Sequence, residues 1–271
     1  MAAGRRFYFS IDVDYHPGSE SGLSYLYDFC RDNALKATSF VTGMFAVTQP
    51  ALVREGVARG YALGTHGWEH LMKEDESFKT GSRDEQRDWL KRSTDAVEKA
   101  AGQRPLCFRA PNLAVCETTL GLLEELGYRV DSSVPARRFD MGRGQVNSTR
   151  YFFAPLTAYH PSRAHLGRRG DSPVLEVPPS ASVVPINLAA LRILGFEVLA
   201  AATRAVSLQS PLLVFYCHPS EVADPDKLQL TAGMTGNFRT KMGPENLVLL
   251  KRYVDFVKRL GYISADFAEY L

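Results

Sequence analysis

The sequence predicts an α/β fold with parallel strands, and three observations carry that prediction. Seven short apolar runs of strand length stand at residues 6–11, 37–41, 61–65, 105–108, 128–130, 173–177 and 212–217. Helix-like patterns fill most of the intervals, so strand and helix alternate about seven times, as in a parallel sheet with helical crossovers. No low-complexity linker divides the 271 residues, and no repeat recurs at a fixed period. With 45% hydrophobic and 23% charged residues the chain can bury a substantial core and is too apolar for intrinsic disorder.

Taken in order, residues 6–11 (RFYFSI) are aromatic and β-branched and read as a buried strand ending at Asp12. After the strands at 37–41 and 61–65 comes the clearest helix, Arg83–Ala101, with Ser82 and Glu85 as a capping box and Trp89 and Val97 on its apolar face. Residues 117–126 form a helix stopped by Gly127, and residues 244–260 one that starts on Pro244 and stops at Gly261. Residues 187–206 are apolar around most of their circumference, with Arg192, Glu197 and Arg204 as the only charges. That is expected of a helix packed on a barrel; partial insertion into a membrane interface is the alternative. Two connections are long, 135–171 and 219–243, and loops of that size are functional or locally structured.

Charge excludes some function classes. Lys plus Arg number 32 and Asp plus Glu 30, so a general nucleic-acid footprint is absent. The net +2 nevertheless conceals a basic segment: residues 136–170 hold seven arginines (137, 138, 143, 150, 163, 168 and 169) against Asp140 alone, a net of +6. Arginines paired with acids elsewhere would explain it, as would a phosphate site using Arg168 and Arg169. Residues 37–53 lack charge but carry Thr, Gly, Gln and Pro, so they do not read as a bilayer span; no signal-like apolar stretch follows residues 1–6, because Asp12 and Asp14 interrupt it. A cytoplasmic location is the expectation, with the inner membrane face as a further option. Cys30, Cys107, Cys116 and Cys217 form no C-x-x-C pair and read as buried thiols.

Polar residues end the predicted strands: Asp12 and Asp14 the first, His66 the third, Arg109 the next, then Asp131 and finally His218. In a closed parallel barrel such ends gather on one face, where catalytic sites are assembled. His66 and His70 are four apart and can approach one metal, with Asp14 as the candidate carboxylate of a two-His, one-carboxylate set. His66–Gly67–Trp68–Glu69–His70 also fits the H-x-x-E-H of inverted zinc peptidases, but Gly64, Thr65 and Gly67 argue against the long helix that chemistry needs. His16, His160 and His165 read as structural histidines.

The ordered motifs FSIDVDY (9–15), ATSFVTG (37–43), His66 to His70, RAPN (109–112), DSS (131–133) and His218 resemble those of the NodB-homology polysaccharide deacetylases, carbohydrate esterase family four. The resemblance runs from about residue 6 to the C-terminus. It implies a distorted (β/α)7-type barrel forming one domain over 1–271, with an Arg-rich insertion at about 135–171. It also implies metal-dependent removal of an N-acyl, usually N-acetyl, group from an amino sugar. Carried over by motif, Asp12 is the base and Asp14, His66 and His70 hold the metal. Arg109 holds the base, Asp131 orients the catalytic histidine, and His218 is that histidine, the general acid.

Two departures stand out. Val13 separates the two aspartates, as in the branch with cytosolic and lipid-linked-sugar deacylases, and Asn112 stands where an aromatic ring is expected. The Asn112 backbone N–H can still serve an oxyanion, while Tyr15 and Trp68 could line a sugar subsite or pack in the core. Zinc is the leading metal, and Co, Ni, Mn or Fe fit the same ligands. The basic segment and the 187–206 helix point to an anionic, phosphate- or lipid-linked amino sugar with peripheral membrane contact. A deformylase or other amide hydrolase of the family, and a non-catalytic carbohydrate- or metal-binding barrel, are the rival functions.

Overall fold

The structure is a computed structural model that describes residues 4–70, 77–138, 149–229 and 241–271. In chain order its elements are β1 (Arg6–Val13), α1 (Glu20–Asp32), β2 (Thr38–Val41), α2 (Gly43–Thr48), α3 (Pro50–Ala58), β3 (Ala62–Thr65), α4 (Arg83–Ala101), β4 (Cys107–Phe108), α5 (Glu117–Glu125) and β5 (Val130–Asp131). There follow β6 (Pro161–Ser162), β7 (His165–Arg169), β8 (Leu175–Glu176), β9 (Ala181–Ser182), β10 (Val184–Pro185), α6 (Leu188–Leu194), α7 (Phe196–Ser207), β11 (Leu212–Cys217), α8 (Asn246–Arg259) and β12 (Ile263–Ala265). All seven predicted strands form, and the path β11-β1-β2-β3-β4-β5-β8 is parallel throughout, with β12 added beside the start of β1. The sheet curls as in a distorted (β/α)7 barrel. The ends β8 and β11 are bridged by chain: Ser180 exchanges hydrogen bonds with Val214, and Asn187 pairs beside Tyr216.

Strand alternation decides what faces inward. Tyr8, Phe40, Cys107, Val130, Val177 and Val214 meet inside the sheet, where Phe267 of the C-terminal 3-10 turn joins them. Two or four residues further along the same faces come Asp12, Arg109, Ser132, Tyr216 and His218. The barrel is therefore apolar at one end and polar at the other. Gly64 makes this possible on β3: a Cβ there would lie 2.6 Å from Phe40 Cδ1, so any larger residue would displace the ring that packs beneath Arg109. The opposite strand faces pack under helices α1, α3, α7 and α8 on one side and α4 and α5 on the other.

Helix signals place the ends as expected. Ser82 and Glu85 form the capping box of α4, and Gly102 closes it in the left-handed region at φ 74°. The apolar stretch 187–206 is two helices rather than one. Asn187 caps α6, accepting from the Ala190 N–H at 2.8 Å, and Gly195 at φ 84° breaks the run before α7. Leu199, Ala200, Ala202, Thr203 and Val206 of α7 are buried, which is the packing expectation for this segment. Among the described residues no helix is long and apolar enough to cross a membrane. The long connection 135–171 contains the antiparallel hairpin β6–β7, and the next connection begins with a 3-10 turn at Pro219–Glu221. Residues 139–148 and 230–240 of these connections, including Arg143 and Asp140, lie outside the described residues.

Candidate active site

At the polar end of the barrel the fully buried Arg109 is the organising side chain. Its Nη1 donates to Asp12 Oδ1 at 2.6 Å and to Ser10 Oγ at 2.8 Å, its Nε to the Ser132 carbonyl at 3.1 Å and its Nη2 to Ser132 Oγ at 2.9 Å. Both partners are buried, so this is a charge pair with its hydrogen bonds filled, the condition under which a buried ion pair is tolerated. Asp12 is thereby fixed through Oδ1, and no described hydrogen bond holds its other oxygen.

Beside it, Asp14, His66 and His70 each present a ligand atom, all within 4.8 Å of one another. The His66 Nδ1–H donates to the Arg109 carbonyl at 2.8 Å, which leaves Nε2 bare and 3.6 Å from Asp14 Oδ1. Asp14 Oδ1 is buried with no hydrogen-bond partner. An orphaned carboxylate oxygen facing two imidazoles fits a divalent cation with N and O ligands at about 2.0–2.2 Å. Burial opposes ionisation of Asp14, yet the imidazoles of His70, His66, His218 and His16 together hold its carboxyl below the usual range. His16, read from the sequence as structural, thus lies within the field of the cluster; burial holds its own pKa down. The Asn112 N–H points at His70 Nε2 from 3.3 Å. Asn112 and Leu113 are both left-handed at φ 54°, and Asn is among the side chains that tolerate this, which gives a physical reason for Asn where a ring was expected.

His218 comes to the same pocket, its Nε2 4.0 Å from Asp14 Oδ2. Its carboxylate partner differs from the one the motifs implied. Asp131 is on the outer face of β5, opposite Glu176 of β8 in register, because side chains alternate and Val130 and Ser132 take the inward positions. There Asp131 accepts from Ser133 Oγ, while Glu176 accepts from the backbone of Val134 (3.0 Å) and Ser133 (3.5 Å). Burial raises both carboxyls, Asp131 to about 6 and Glu176 further with the help of Asp131's charge, so the pair keeps a proton at moderately acidic pH. The group beside His218 is instead Glu221. Its Oε2 accepts from the His218 backbone N–H at 2.8 Å and lies 3.3 Å from ring Nδ1. Arg192 of α6 approaches Glu221 Oε1 at 3.3 Å, close enough for ion pairing though not aligned as a hydrogen bond. Burial would lower the His218 pKa, but Glu221, Asp14 and Asp12 outweigh it and push it up to about 9. Gly22 of α1 holds this turn close: a Cβ there would lie 1.9 Å from the Pro219 carbonyl oxygen.

For four other candidates the described contacts are with the surrounding fold. Tyr15 packs against the helix-side core. The Trp68 ring lies against Gly43 of α2, with the Arg92 guanidinium of α4 4.1 Å from its centroid. Arg168 and Arg169 are exposed on β7, and no described contact ties either to the cluster; Arg169 reaches Thr157 Oγ1 at 3.1 Å. Their hairpin is held along α5 by Arg163–Glu124 (3.0 Å) and by Leu166 N–H to Glu117 Oε1 (3.3 Å), and Arg150 also pairs with Glu117 at 2.6 Å. Sequence reasoning missed Glu221 and Arg192. The Glu three residues after His218 was the only available signal for the first, and none existed for the second.

Comparison with known proteins bears on the family and the fold. Residues 4–130 match the family model described as polysaccharide deacetylase. An uncharacterised protein of Geobacillus stearothermophilus is 32% identical over 126 residues, 46% of this chain and 44% of that protein, so the chain aligns with less than half of this relative's length. A Mycobacterium smegmatis crystal structure provisionally described as a polysaccharide deacetylase superposes with a TM-score of 0.63 at 17% identity, covering 99% of this chain and 90% of that one. A Bacillus anthracis protein described as a carbohydrate esterase family 4 pseudoenzyme superposes at 0.58 with 14% identity, covering 100% of this chain and 66% of that one. The resemblance to the NodB-homology deacetylases therefore holds, in sequence over residues 4–130 and in fold over the full length.

Proposed function

From that kinship we propose that the chain is a divalent-metal-dependent hydrolase that removes an N-acyl group, typically acetyl, from an amino sugar. The observation that carries the reading is the convergence of three functions in one pocket: Asp12 clamped by Arg109, the orphaned Asp14 oxygen facing His66 and His70, and His218 backed by Glu221. A pseudoenzyme of the same fold shows that architecture alone does not guarantee turnover, so the case rests on these residues.

Asp14, His66 and His70 would hold the ion, with zinc favoured by the mixed N/O set. When bound, the ion supplies Lewis acidity that polarises the acyl carbonyl and makes water a stronger nucleophile near neutral pH. The protein does the remaining work. Asp12, fixed through Oδ1, takes the proton of the attacking water on its second oxygen. The Asn112 N–H, aimed into the cluster, donates to the oxygen on which negative charge develops. An amine leaves only when protonated, and His218 donates that proton from Nε2. Glu221 fixes its tautomer through Nδ1 and favours the imidazolium.

The test is release of acetate or formate from a panel of N-acyl amino sugars, phosphorylated and neutral, by protein reconstituted with zinc. The expected result is turnover that Asp12→Asn lowers by about 10²–10⁴ while zinc stays bound. Formate release without acetate release would make the enzyme a deformylase. Zinc binding with no acyl release from any member of the panel would make the chain a binding barrel.

A further inference from the structure

Among the described arginines of residues 136–170, Arg138 reaches toward the pocket. Arg138 Nη1 donates to Tyr216 Oη at 2.9 Å, and the Tyr216 ring stands edge-on to the His218 ring, centroids 5.9 Å apart. Tyr216 lies one inward position before His218 on β11, so Arg138 sits one phenol ring from the proposed general acid. Its neighbour Arg137 adopts a left-handed backbone at φ 56°, and its carbonyl accepts from the N–H of Val183, itself at φ 66°, which is rare for a β-branched residue. Strain of this kind is retained where surrounding structure enforces it, often at ligand sites. Arg137 Nε is buried without a hydrogen-bond partner, and its guanidinium lies 5.6 and 5.5 Å from the rings of Phe152 and Phe153. Phe153 is 82% exposed and Val183 58% exposed. Contacts thus run from His218 through Tyr216 to Arg138, and the next residue along the chain, Arg137, lies beside an uncovered aromatic ring.

We infer that Arg137 and Arg138 form a subsite for a phosphoryl group carried by the acyl amino sugar, with Phe153 taking the portion of the molecule beyond it. The inference rests on the hydrolase reading above and names its substrate class. Two arginines from consecutive residues offer guanidinium donors that suit the several oxygens of a phosphate, and the exposed Phe153 ring beside Arg137 suits the base of a nucleotide or the chain of a prenyl diphosphate. It also moves the phosphate site expected from the sequence away from Arg168 and Arg169.

Binding separates this from the catalytic reading. Calorimetry with N-acetylglucosamine 1-phosphate and with neutral N-acetylglucosamine is expected to show at least tenfold tighter binding of the phosphate. Arg137→Gln with Arg138→Gln should bring the two within about twofold, and Arg168→Gln should leave the preference intact. Tyr216→Phe, which removes the hydrogen bond between Arg138 and the Tyr216 hydroxyl, should weaken the preference severalfold and guards against misfolding of the double variant. No phosphate preference in the wild type, or a preference untouched by the double and Tyr216→Phe variants, overturns the inference. A preference lost with these variants while no acyl group is released refutes the hydrolase and leaves the subsite standing. N-acetylglucosamine linked to a nucleoside diphosphate or to a short prenyl diphosphate tells the two sources apart. The favoured one should lose its advantage in Phe153→Ala, and no advantage for either overturns the role of Phe153.

Discussion

Which carboxylate serves His218 turns on a single peptide unit of strand alternation. Asp131 and Ser132 differ by one position, and that difference sends Asp131 outward to Glu176 and Ser132 inward to Arg109. Glu221 instead bonds both the backbone and the ring of His218. Glu221→Gln is therefore expected to lower kcat by about 10²-fold with little change in KM, on the scale of losing a positioned proton donor. Asp131→Asn should change kcat less than threefold. Steady-state kinetics on whichever N-acyl sugar the protein hydrolyses decides it, and the opposite ranking would return the role to Asp131.

Between elements, the buried Asp131–Glu176 pair joins β5 to β8 and anchors the turn 132–134 that carries Ser132 to Arg109. Among the described residues, Arg109, Tyr151 and Tyr159 are charged or titratable groups that interact with it. Because folding raises both carboxyls, the folded chain binds more protons than the unfolded one. The pair's contribution is most favourable below the unfolded carboxyl range and is lost as pH rises from about 4 through about 6, Asp131's folded value. Glu176→Gln removes the repelling charge and keeps a hydrogen-bonding amide. Denaturant unfolding across pH 4–8 should show the variant gaining on the wild type as pH rises, by on the order of 1–3 kcal/mol. Parallel curves for the two proteins would rule the pair out as a titrating unit.

Across the full chain, the proposed ligands Asp14, His66 and His70 link the ends of β1 and β3, and His218 arrives from β11 some two hundred residues later. A cation that binds only the folded arrangement stabilises it by about 2.7 kcal/mol at a hundredfold excess over Kd. Zinc should accordingly raise the Tm by several degrees, chelator should reverse the rise, and His70→Ala should abolish it; an unchanged Tm with zinc would count against the site. The strands, the capped helix Arg83–Ala101 and the gathering of Asp12, Asp14, His66, His70, Arg109 and His218 at one end of the sheet were readable in sequence, because apolar period, capping chemistry and strand-end polarity are local properties. The division of residues 187–206 was less so: Gly195 was visible, but its left-handed φ follows from where α6 and α7 must pack. Glu221 was marked only by its place three residues after His218, and the outward turn of Asp131 and the contact of Arg138 with Tyr216 were not legible at all. Local pattern fixes which residues occur at a strand end, whereas inward or outward direction depends on register against a neighbouring strand, and which charges meet depends on contacts far apart in the chain.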